Sequence, residues 1–141
     1  MDAASSLHVP GSEEGNRAAR AGFDAFLAAH SLASGATWPF QVALDEVLSN
    51  IVKYARTQAG GPVQVELQMR LLGGSLEIVV VDDALSFNPL DANPPDTAEP
   101  VETRKVGGLG LALVRKLMDV VEYQRAGDRN RLLFRRRLSA A

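Results

Sequence analysis

Glu46 and Asn50 stand four residues apart in an apolar stretch, and Gly107-Gly108-Leu109-Gly110 follows further along the chain. On a helix, residues i and i+4 share a face, so this carboxylate and this amide project into one small volume. An amide oxygen is a hard ligand suited to Mg²⁺, which takes oxygen donors, keeps several waters and bridges nucleotide phosphates. A carboxylate beside it can accept a proton from an attacking hydroxyl or water. Glycines without Cβ let backbone N–H groups approach an anion, and the start of a helix adds a favourable dipole. Between these motifs, Asp82-Asp83-Ala84-Leu85-Ser86-Phe87-Asn88-Pro89 closes the apolar run Leu76 to Val81. A carboxylate at a strand end can accept from the exocyclic amine of adenine, a donor that guanine lacks at the equivalent position. The chemistry indicated is that of a magnesium nucleotide.

Each motif also has a plain explanation when taken alone. Glu46 and Asn50 can belong to a solvated polar stripe, an aspartate is commonplace in a turn after a strand, and a glycine cluster can serve packing or capping. No lysine follows the glycines as in a Walker loop, and no strand precedes them as in a Rossmann fingerprint. Order along the chain, rather than any single motif, carries the specificity.

The rest of the composition narrows the class. A chain of 141 residues is the size of one ordinary domain. No apolar run approaches the roughly 20 residues needed to span a bilayer, and Met1 to Pro10 has neither a basic n-region nor an apolar h-region. The expectation is a soluble, cytoplasmic protein without a membrane partner. Cysteine is absent and His8 and His30 are far apart, which argues against a zinc site and leaves a hard, oxygen-held cation. Fifteen basic residues against seventeen acidic ones argue against direct nucleic-acid binding. Arg135-Arg136-Arg137 reads as a solvated strand end, since no aromatic platform accompanies it.

These residues need elements to hold them. A short strand at Leu7 to Val9 precedes a helix capped by Ser12, which ends near Ser31 to Gly35. Thr37 caps a second helix, with Pro39 in its first turn, running to about Arg56 and carrying Glu46, Asn50 and Lys53 as a polar stripe. Alternation from Val63 to Met69, then Gly73-Gly74, then Leu76 to Val81 gives a hairpin. Residues 84–106 hold Pro89, Pro94, Pro95 and Pro100 with little apolar periodicity, the profile of a functional loop such as a lid. A helix over 107–120, a strand Val121 to Arg125, a turn Gly127-Asp128-Arg129-Asn130 and a strand Leu132 to Arg137 complete the chain. Helices and hairpins without regular βαβ alternation predict an α+β two-layer sandwich, its mixed, mostly antiparallel sheet covered by helices on one face.

Glu-x-x-x-Asn on a helix, a strand ending in aspartate, a proline-rich segment and Gly-x-Gly opening a helix, in that order, resemble the GHKL ATPase superfamily with its Bergerat-type fold. That superfamily includes gyrase, MutL and histidine kinase catalytic domains. Within it the chain is similar to the bacterial anti-sigma-factor serine kinases of the RsbW and SpoIIAB type, over about residues 5–137 and most strongly in ALDEVLSNIVKYA, VVVDDALSFNPLDANPPD and GGLGLALVRKLMDVVEYQRAGDRNRLLF. The resemblance implies one histidine-kinase-like ATP-binding domain over 1–141, with a nucleotide lid at about 84–106. It makes Glu46 the general base, Asn50 the Mg²⁺ ligand and Asp82 the adenine reader. Gly107, Gly108 and Gly110, with the backbone of Leu109, hold phosphates, and Arg104 and Lys105 are lid cations. Ala84, beside the base, stands where the family usually has glycine, and Tyr54 where it often has histidine. A methyl at residue 84 crowds the base, or strains the backbone if φ there is positive.

By the same resemblance, the chain is an ATP-binding anti-sigma regulator that phosphorylates a serine of an anti-anti-sigma partner of the STAS type, binds a sigma factor and forms a homodimer. Two other readings stay open on the sequence. One is a switch module that binds ATP and a partner without efficient phosphotransfer; the other is a histidine-kinase-type catalytic domain acting in trans.

Overall fold

The computed structural model describes residues 2–32, 34–86 and 107–138, with the backbone alone for residue 34 and residues 107–111. Among them are strand β1 (Ala3–Pro10), helices α1 (Glu13–Ala29) and α2 (Ser34–Tyr54), strands β2 (Gln64–Leu72) and β3 (Ser75–Asp82), helix α3 (Gly107–Leu117), and strands β4 (Val120–Ala126) and β5 (Arg129–Arg137). The strands form one sheet in the order β1-β2-β3-β5-β4. All four pairings are antiparallel, so the parallel component of the expected mixed sheet has no counterpart among the described residues.

Register stacks one set of apolar strand residues on the face that meets the helices, while Val79 and Leu133 pair on the other face. Leu67 opposes Val80, and Val80 opposes Leu132; Met69 opposes Ile78, and Ile78 opposes Phe134. These side chains are buried together with Phe23 and Phe26 of α1, Leu44 and Leu48 of α2, and Val114 of α3 in one core. The rings of Phe40 and Phe134 lie 6.2 Å apart, so α2 rests directly on β5. On the other face Glu77, 1% exposed, takes Arg70 at 2.6 Å and Arg135 at 3.1 Å. Opposite charges in neighbouring strands thus join β2, β3 and β5 across the middle of the sheet.

Local chemistry accounts for the element boundaries. The Ser12 hydroxyl accepts from the Gly15 N–H at 3.0 Å and caps α1. Gly73 and Gly74 have φ of 57° and 86°, the two left-handed residues that a tight hairpin requires. Several boundaries differ from expectation: α1 stops at Ala29 and α3 at Leu117, short of Ser31 to Gly35 and of residue 120, and three further shifts have a structural reason. β1 is longer than Leu7 to Val9, because pairing with β2 continues through polar residues whose backbone suits a ladder. α2 begins at Ser34, so Thr37 lies within the helix and does not cap it. Pro39 in that position removes the N–H that would donate one turn back, while burial of Thr37 and Phe40 anchors the extra turn. Finally, the turn after β4 is only Gly127 and Asp128, and Arg129 and Asn130 already belong to β5. The expected lid falls largely on residues 87–106, outside the described residues. Among the described residues no helix is long and apolar enough to cross a membrane.

Candidate functional site

Strand alternation decides which of the two adjacent aspartates turns inward. Asp82, the last residue of β3, shares the face of Ile78 and Val80 and is 9% exposed. Asp83 points the other way: its Oδ1 accepts the Gln64 N–H at 2.8 Å and its Oδ2 lies 3.8 Å from Arg129 Nη1. Asp83 is therefore a structural clasp on β2, and Asp82 is the carboxylate available for other work.

Asp82 Oδ1 accepts two N–H groups, from the Ala84 backbone at 3.0 Å and from Asn130 Nδ2 at 2.9 Å. Asn130, opposite Asp82 in the ladder, is itself held. Its Oδ1 accepts from Tyr123 Oη at 2.6 Å and from Arg125 Nη1 at 3.0 Å, and its Nδ2 also donates to the Leu85 carbonyl at 2.9 Å. Arg125 Nη1 additionally donates to the Ala84 carbonyl at 2.9 Å. Burial pushes the Asp82 carboxyl above the ordinary carboxylate range, and the Asp83 charge adds to this, while the bonds from Asn130 and Ala84 and the charge of Arg125 pull it back. A buried carboxylate with its charge only partly offset is what a ligand donor would meet.

Above this floor lies a cavity of about 330 Å³, at the lower end of the roughly 300–1,000 Å³ common for ligand pockets. Val47, Ile51, Val80 and Leu132 supply apolar wall, Asp82 and Asn130 the polar end, and Asn50 and Tyr54 line the side from α2. The expected pair on α2 is in contact, since Asn50 Nδ2 lies 3.4 Å from Glu46 Oε1. That bond engages the amide nitrogen and, among the described residues, leaves the Asn50 carbonyl oxygen, the hard ligand, uncommitted. Among the described residues no cluster of three acidic, histidine or cysteine side chains stands ready to hold a metal. A cation at Asn50 would draw its remaining ligands from water and phosphate, in the manner of Mg²⁺; the donor set fits that ion.

Ala84 lines the same cavity without backbone strain, because the one described non-glycine residue with positive φ is Ser31. Of the other expected site residues, Glu46 is half-buried and touches Asn50 but is not among the residues lining the cavity. Gly107, Gly108, Leu109 and Gly110 form the first turn of α3, whose opening N–H groups have no partner within the helix. Arg104 and Lys105 lie outside the described residues. Sequence reasoning passed over Asn130, Tyr123 and Arg125. A signal was present: a two-residue turn at Gly127-Asp128 sets Arg125 opposite Asn130, and alternation then puts Tyr123 on the same face as Arg125.

Among the curated proteins that the chain resembles are three bacterial kinases. The serine/threonine-protein kinase BtrW of Bordetella bronchiseptica is 33% identical over 88 residues, covering 62% of this chain and 61% of its own length. The serine-protein kinase RsbW of Halalkalibacterium halodurans is 36% identical over 89 residues, covering 60% and 52%. That of Listeria monocytogenes is 33% identical over 87 residues, covering 58% and 54%. The chain thus spans between about half and three-fifths of the length of these relatives. The family profile described as the histidine kinase-like ATPase domain matches residues 9–136, nearly the whole of the chain whose sheet, α2 pair and buried aspartate have just been described. The chain belongs to the histidine kinase-like ATPase domain family.

Proposed function

We propose that this protein is an ATP-dependent serine kinase of the anti-sigma type, acting on a serine of a STAS-type anti-anti-sigma partner. The observation that carries the reading is that buried Asp82 and the α2 residue Asn50 line one cavity, the two ends of a nucleotide in one space. Kinase activity is further supported by the relatives named as serine or serine/threonine kinases, and the anti-sigma partnership by the resemblance of the three motifs.

In this reading the domain spans 1–141 and Asp82 accepts a hydrogen bond from the adenine amine beside Ala84. Backbone N–H groups of Gly107, Gly108, Leu109 and Gly110 receive phosphate oxygens. Asn50 contributes its carbonyl oxygen to Mg²⁺, which when bound draws charge from the phosphates. Glu46 takes the proton of the partner's serine hydroxyl. The serine oxygen then bonds to the γ-phosphorus in line with the breaking bond to the β-phosphate, and ADP departs with that electron pair. Arg104 and Lys105, carried by the lid at about 84–106, offset charge on the transferring group.

The test is phosphotransfer from radiolabelled Mg-ATP to a purified STAS partner. Phosphoserine on the partner is the expected product. Phosphohistidine on a separate acceptor would instead indicate a histidine-kinase-type role, and nucleotide binding without transfer would indicate a switch module. A sigma factor as second partner and a homodimeric state belong to the same proposal, and are read by co-purification and by scattering mass.

A further inference from the structure

Asn130 presents two chemically opposite ends, and the groups around it permit one orientation only. Arg125 can only donate, and it faces the Asn130 side-chain oxygen at 3.0 Å; the Asp82 carboxylate and the Leu85 carbonyl can only accept, and each lies 2.9 Å from the Asn130 nitrogen. Turning the amide over would set oxygen against oxygen on one side and nitrogen against a guanidinium on the other. Tyr123 Oη, which could serve either orientation, donates to the oxygen so placed at 2.6 Å. The Arg125 nitrogen that fixes Asn130 also holds the Ala84 carbonyl at 2.9 Å. It thus grips both partners whose N–H groups fall on Asp82 Oδ1, one through the far end of its side chain and the other through its own residue.

We propose that Arg125, assisted by Tyr123, is the positioning group for nucleobase selection: by orienting Asn130 and fixing residue Ala84 through its carbonyl, it commits Asp82 Oδ1 and so presents Oδ2 to the base. This inference rests on the reading that the cavity takes a nucleotide. Arg125 is not among the residues lining the cavity and acts through Asn130, Ala84 and Asp82; Tyr123 lines the cavity and enters this role through its hydroxyl on Asn130. The guanidinium matters as a fork of fixed geometry: one of its nitrogens serves two carbonyl oxygens at once, and a flexible ammonium is a poorer guide for both.

The experiment is calorimetric titration of the full chain with Mg-ATP and, separately, Mg-GTP, for wild type, Arg125→Met, Arg125→Lys and Tyr123→Phe, with a thermal melt of each. The expected result is a roughly tenfold loss of ATP affinity in Arg125→Met, the scale of one hydrogen bond in a charged network. The ATP-over-GTP ratio contracts while the melting midpoint stays near that of wild type. Arg125→Lys recovers part of the ratio, and Tyr123→Phe contracts it less than Arg125→Met does. A merely structural role would lower the midpoint and leave the ratio alone. If Arg125→Met does not fold, Tyr123→Phe, which removes only a hydroxyl, carries the same comparison. A wild-type ratio in every folded variant overturns the positioning role while leaving the nucleotide site intact. Failure of the wild-type protein to bind either nucleotide overturns the nucleotide reading, and this inference with it.

Discussion

Burial raises the Asp82 carboxyl above the ordinary carboxylate range, so folding favours its protonated form. As pH climbs from 3.8 through the higher folded value, the folded protein gives up a proton that the unfolded chain has already lost. Stability therefore falls across that window, and at neutral pH the charge is a net cost. Asp82→Asn should consequently melt higher than wild type at pH 7, with the difference narrowing as pH approaches 3.8, while ATP affinity drops by about 1 to 3 kcal/mol. Melts across pH paired with calorimetry check both halves; a variant that melts lower at every pH would mean that the carboxylate stabilises the fold. On α2 the expectation divides differently. Glu46→Gln keeps the bond to Asn50 but cannot take up a proton, so nucleotide affinity should hold while phosphotransfer falls about 10²- to 10⁴-fold. Asn50→Ala should weaken Mg-ATP binding as well, and wild-type transfer by Glu46→Gln would remove the general-base role. At this scale the sequence showed what a one-dimensional pattern can: Asp82 is legible because it ends an apolar strand, and Glu46 with Asn50 because a helix has a fixed period. Asn130 was not, since its partners lie on two other segments, residues 82–85 and β4, and the ladder brings them together around it.

The elements were legible where one periodicity dominates, as in α1, the β2–β3 hairpin and the core of α2. They were misjudged where a boundary depends on tertiary contact: β1 lengthens along β2, and α2 gains a turn from burial of Phe40. The docking of α1 on β1 makes a sharp test of such contacts. A Cβ on Gly15 would come 1.9 Å from the Pro10 carbonyl oxygen, whereas one on Gly22 would meet Leu7 Cδ2 at 2.4 Å. The first obstacle is backbone and the second is the end of a side chain that can turn aside. Gly15→Ala should thus destabilise the protein by about 1 to 3 kcal/mol through overpacking. Gly22→Ala should stay within about 1 kcal/mol of wild type, since the helix gains nearly that much from alanine. Urea unfolding of the two variants side by side measures the contrast, and equal midpoints would show that α1 is free to shift on β1.

For the whole molecule, the fold class followed from the absence of βαβ alternation, and the face of the core followed from alternation in β2, whereas β3 is apolar on both faces. Glu77 was not legible as a buried acid on the face opposite the helices, because its cover comes from Arg70 across the hairpin and from Arg135 on β5, far along the chain. A nucleotide that binds only the folded chain must stabilise it by mass action. Mg-ATP at a hundred times its Kd should contribute about 2.7 kcal/mol and raise the melting midpoint by about 5 to 10 °C. GTP at the same concentration should raise it less, and an unshifted melt with either nucleotide would count against the site. The strand order adds a kinetic consequence. Among the described residues β4 lies at the sheet edge and pairs only with β5, yet it carries both Tyr123 and Arg125. Edge strands open by local fluctuation more readily than central ones, so the lifetime of the pocket floor is tied to the fraying of one strand. Amide hydrogen exchange in β4 should then slow when nucleotide is bound, while exchange in β2 and β3, already held on both sides, changes little. The rate at which nucleotide leaves would in that case be limited by an opening of the sheet margin.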